Sequence, residues 1–69
     1  MAAGFMSSGP PWALEEMVRY VSTMEGFIRA EDVIPGVKAV FFETEEDAVT
    51  AKWIMDTNKS IKIGEEEEE

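Results

Sequence analysis

The sequence predicts an α+β fold, and three observations carry that expectation. Apolar residues recur at helical spacing in two stretches, Leu14–Met24 and Ala48–Met55. Val37–Glu43 sends alternate side chains to opposite faces, as a strand does. Ile34-Pro35-Gly36-Val37 supplies a tight turn before that strand: Pro fixes φ at the second position, and Gly accepts φ > 0 at the third, as a type II turn requires.

The elements follow in order. Residues 1–10 are either flexible or a short edge strand. Ala3–Met6 is strand-like, while Ser7, Ser8, Gly9, Pro10 and Pro11 interrupt regular structure. A helix is expected over Pro11–Met24, because Pro suits a first turn in which its missing N–H has no partner. Leu14, Met17, Val18, Val21 and Met24 share one face, and Glu15, Glu16, Arg19, Ser22 and Thr23 take the other. Gly26 marks the end of that helix.

Phe27–Val33 reads as an edge strand, since Arg29, Glu31 and Asp32 belong at a solvated border. In the next strand Val37, Ala39 and Phe41 lie on one face, and Lys38, Val40 and Phe42 on the other. Thr44, with Asp47 three residues on, resembles a capping box. Glu45, Glu46 and Asp47 suit the positive end of a helix dipole. The second helix is expected over Glu45–Asp56, with Ala48, Ala51, Lys52 and Met55 along one stripe and Val49 and Trp53 beside it. Trp53 is expected to pack. Asp56, Thr57 and Asn58 should end this helix, leaving Ser60–Ile63 as a last strand.

The resulting order, (β)αββαβ, is the ferredoxin-like arrangement: a four-stranded antiparallel sheet with two helices on one face. Residues 11–64 would form one compact domain. The terminal run Glu65–Glu69 repels itself and has nothing apolar to bury, so it is expected to be a disordered acidic tail.

Composition narrows the function classes. The chain has 69 residues, with 15 acids against 6 bases and a formal net charge of −9. It has no cysteine and no histidine, so disulfides, zinc fingers and Cys/His nucleophile–base pairs are excluded. Its glycines are scattered and match no phosphate-loop fingerprint. Glu45, Glu46 and Asp47 are neighbours in sequence, but adjacent helix positions point in different directions. No enzyme activity, cofactor or metal is expected. No stretch approaches the roughly 20 apolar residues of a membrane span, and an intracellular location, cytoplasmic or nuclear, is expected.

Over Leu14–Ile63 the residues resemble an RNA recognition motif. Leu14-Glu15-Glu16-Met17 is similar to the start of that family's first helix, and Met24-Glu25-Gly26-Phe27-Ile28 to its aromatic-Gly-x-Ile turn. Pro35–Phe42 occupies the place of its main signature, of which Gly36, Val40 and Phe42 match. The family stacks bases on two exposed aromatic rings of this strand, where this chain has Val37 and Ala39. Pro35 stands where a basic residue is usual, and only Phe5 or Met6 is available for the first-strand motif. The resemblance implies the fold and, as an alternative function, weak single-stranded RNA binding through Phe41, Arg29 and Lys38.

The leading expectation is a small acidic, non-catalytic protein-binding module. If the helices cover Lys38, Val40 and Phe42, then Val37, Ala39 and Phe41 form an exposed apolar patch of the kind that marks contact surfaces. Acids around the patch, including Glu31 and Glu43, would give it a charged rim, and Glu15, Glu16, Glu43, Glu45, Glu46 and Asp47 would supply a negative surface for a basic or nucleic-acid-associated protein. By analogy of size and charge, DNA-mimicking inhibitors such as those of phages are built this way. Trp12, at the helix start, would serve either as a staple or as an exposed anchor. Direct nucleic-acid binding is disfavoured by phosphate repulsion. The remaining alternatives are a structural subunit of a larger complex and a homo-oligomer in which a second copy covers the patch.

Overall fold

The computed structural model describes the backbone of residues 2–67, and their side chains apart from those at 63 and 65–67. Five elements follow one another: β1 (Ala3–Ser8), α1 (Pro11–Val21), β2 (Phe27–Ile34), β3 (Val37–Phe42) and α2 (Glu45–Glu67). The fold is α+β, with an antiparallel sheet of three strands in the order β1-β3-β2.

Helix α1 begins with Pro11 in its first turn, and the carbonyl of Pro10 accepts from the N–H groups of Ala13 and Leu14. It buries Ala13, Leu14, Met17 and Val21. It ends three residues before the expected Met24. The Ser22 and Thr23 hydroxyls donate back to the carbonyls of Arg19 and Tyr20, at 2.7 and 2.8 Å, which satisfies the last turn early. The β2–β3 hairpin turns at Pro35-Gly36 with φ of +86° at Gly36, the left-handed value that the third turn position needs. Strand β2 is an edge strand, as its charges require, and its pairing with β3 is interrupted twice, between Phe27 and Arg29 and between Asp32 and Ile34.

Helix α2 opens as expected. The Asp47 N–H donates to Thr44 Oγ1 at 3.1 Å, and Glu45, Glu46 and Asp47 occupy its first turn. Its far end corrects the sequence reading. Residues Ser60–Ile63 are helical rather than a fourth strand, and the helix continues to Glu67 through the first part of the acidic run. Asn58 does not cap the helix; its Nδ2 donates to the Ile54 carbonyl one turn back, at 2.8 Å. Lys62 lies 3.7 Å from Glu16 of α1, and this ion pair ties the extra turns to the other helix. Glu68 and Glu69 lie outside the described residues.

Both helices cover one face of the sheet. Met17 and Val21 of α1, and Ala48, Ala51 and Met55 of α2, enclose Val40 and Phe42. Phe27 meets Phe42 edge to face, with centroids 5.7 Å apart. Ser7, the buried polar residue of this core, has its hydroxyl satisfied by Lys59 Nζ at 3.1 Å. Among the described residues no helix is long and apolar enough to cross a membrane.

Candidate functional site

The burial of Val40 and Phe42 beneath the helices decides which face of β3 is open. Val37, Ala39 and Phe41 alternate to the other side, as the sequence predicts. Register places β1 and β2 residues around them. Gly4 lies opposite Phe41, Met6 opposite Ala39 and Ser8 opposite Val37 on one flank; Arg29 lies opposite Phe41 and Glu31 opposite Ala39 on the other.

Phe41 is the anchor of this face. Its ring lies across β1 at Gly4, where an added Cβ would come within 2.7 Å of Cδ1. On its other side the Arg29 guanidinium carbon sits 4.3 Å from the ring centroid. Arg29 is itself held by Glu31, Nε to Oε1 at 2.6 Å. The ring is therefore half-buried, while the planar cation above it is half in water and locally neutralised. Beside it Ala39 is buried, and Met6, on β1, is 62% exposed. Met6 is the residue of this face that the sequence reading did not place in the site. The signal was available, since strand alternation from Gly4 carries Met6 to the same side.

The other expected residues divide into groups. Val37, at the hairpin end, also lines a groove of about 500 Å³ between the start of α1 and the β2–β3 turn. Leu14, Glu15, Val33 and Ile34 share that groove. Glu15 and Glu16 are exposed on α1, with Glu16 paired to Lys62, and Trp12 is 43% exposed in the first turn of the same helix. Glu45 and Glu46 are exposed at the start of α2, Asp47 is half-buried, and Glu43 is exposed after β3. The acids thus do not form one ring around the patch. Most of them decorate the helical layer, and Glu31 is the acid that β-register sets on the open face itself.

The alternative set does not converge. Arg29 and Phe41 are stacked, but Lys38 shares the face of Val40 and Phe42 and pairs with Asp32 at 2.5 Å. Trp53, expected to pack, is 68% exposed, and Val49, one turn before it, is 61% exposed. Lys52 also leaves the core stripe and pairs with Asp56 at 3.1 Å.

No family model, no curated protein and no solved structure matches the chain.

Proposed function

We propose that the chain is a small, non-catalytic protein-binding module that docks its open sheet face on a protein with a basic surface. The observation that carries this reading is Met6, 62% exposed beside Ala39 and Phe41 on a face that neither helix covers. A flexible methionine flanked by a half-buried ring presents adaptable apolar surface, which suits a polypeptide partner. The net charge of −9 steers such a partner at long range and repels phosphate backbones. Among the described residues Phe41 is the single ring of the face, and it is already stacked under Arg29, which leaves no second ring beside it for a base. We read the architecture as a ferredoxin-like layout without its last strand.

The experiment is a capture from native extract with the immobilised chain at low and high salt, repeated with Met6→Lys. The reading expects a basic protein that is released as salt rises and is not retained by the variant. Retention independent of salt contradicts the electrostatic part. A retained partner that ignores Met6→Lys contradicts the docking face. Saturable single-stranded RNA binding lost in Phe41→Ala would favour the RNA alternative.

A further inference from the structure

The two edges of the sheet are built differently. The β2 edge carries Arg29, Glu31 and Asp32 and two irregularities of register, the features by which sheets discourage further pairing. The β1 edge carries none of them. Ala3–Ser8 has no charge and no proline, and it pairs with β3 in unbroken register over six residues. β1 pairs with β3 alone, so its outward N–H and C=O groups have no strand beside them among the described residues. Lys59 closes only the far end, where its ammonium donates to the Ser8 carbonyl.

A groove of about 440 Å³ runs along this open edge, lined by Ala3, Gly4 and Phe5 of β1 and by Glu45, Ala48, Val49 and Lys52 of α2. Val49 stands exposed in its wall, and Trp53 stands exposed one turn further along the helix. In a split βαβ sheet this is the place of the fourth strand, since β3 and the strand after α2 flank β1. Ser60–Ile63, which would fill it, is helical.

We propose that a second copy of this chain occupies the place, pairing β1 with β1 antiparallel about a two-fold axis to make one six-stranded sheet. Charge selects this occupant. The chain as a whole is strongly acidic, yet β1 is uncharged and the adjoining flank of α2 balances Glu45 and Asp56 against Lys52 and Lys59. The flanks that face each other in such a pair carry no net charge, so a basic partner finds no net negative charge there. The same two-fold brings the flanks of the two α2 helices together, covering Val49 and Trp53.

The test is sedimentation equilibrium of the full chain at low and high salt, alongside a Val49→Lys, Trp53→Lys double variant and a separate Ile34→Lys variant on the opposite edge of the sheet, where Ile34 is 60% exposed on β2. Far-UV circular dichroism checks that each variant is folded. The expected result is twice the single-chain mass, with association strengthened by salt as repulsion between the acidic copies is screened. The double variant should sediment as a single chain, and Ile34→Lys should remain paired. Amide hydrogen exchange of the unmodified chain gives a second readout that needs no variant: successive amides along Ala3–Ser7 should all be protected, rather than every other one. A single-chain mass at every concentration and salt overturns the proposal. So does a dimer broken by Ile34→Lys but kept by the double variant, or alternating fast exchange along β1. Salt should strengthen this contact and weaken the docking of a basic partner, so failure of one proposal is distinguishable from failure of the other.

Discussion

Arg29 and Phe41 form a stacked pair across β2 and β3, guanidinium carbon to ring centroid 4.3 Å, and the ring rests on Gly4 of β1 beneath it. This arrangement spans all three strands on the open face. It gives that face a fixed centre, with Met6 exposed at its margin.

Gly4→Ala tests the support under the ring. The new Cβ would meet Phe41 Cδ1 at 2.7 Å and the Val40 carbonyl oxygen at 3.3 Å, so ring or strand must move. A loss of about 1–3 kcal/mol is expected, read by urea denaturation. A change near zero would show that the ring yields freely.

Arg29→Ala removes the upper partner of the ring. Because the pair is solvent-exposed on the cation side, the expected loss is only about 0.5–1 kcal/mol. Binding of an apolar fluorescent probe to the folded chain should rise, since the ring face opens. Unchanged probe binding would count against Phe41 as part of an accessible patch.

Thr44→Ala deletes the acceptor for the Asp47 N–H at the start of α2. The cost expected for such a cap is about 1 kcal/mol, measured as a lower thermal midpoint. Replacement by Ser should restore most of it.

Phe42→Ala hollows the core at the residue enclosed by both helices and braced by Phe27. Truncation of this kind costs about 3–5 kcal/mol, a large share of the total of about 5–15 kcal/mol typical of a folded domain. Loss of a cooperative thermal transition is the expected outcome.

Most of the architecture was legible where the physics is local. Pro11 in a first turn, the Pro35-Gly36 turn, the alternation of Val37–Phe42 and the Thr44 cap each depend on a few neighbouring residues. The end of α2 was not legible. Asp56, Thr57 and Asn58 look like a stop, and Ile61 and Ile63 look like alternation. Asn58, however, bonds back to Ile54, and the helix is held from outside itself by Lys59 on Ser7 and Lys62 near Glu16, contacts no local pattern reveals. The exposure of Trp53 follows from the same cause, because among the described residues no strand beyond β1 covers that flank of α2. The candidate face was half legible: alternation put Val37, Ala39 and Phe41 on the side away from the helices, but they do not form the exposed patch expected, since Ala39 is buried and Val37 and Phe41 are half-buried between the flanking strands, and the stacking of Arg29 and the exposure of Met6 required the register across strands.

The central claim is that the open sheet face takes a polypeptide, and amide-shift mapping tests it most directly. The isotope-labelled chain would be titrated with a lysine- and leucine-rich peptide and, separately, with single-stranded RNA. The account predicts saturable peptide shifts centred on Met6, Ala39 and Phe41 that shrink as salt rises, with no saturable response to RNA. Peptide shifts confined to α1 and α2, or saturable RNA shifts at Phe41 and Arg29, would contradict it.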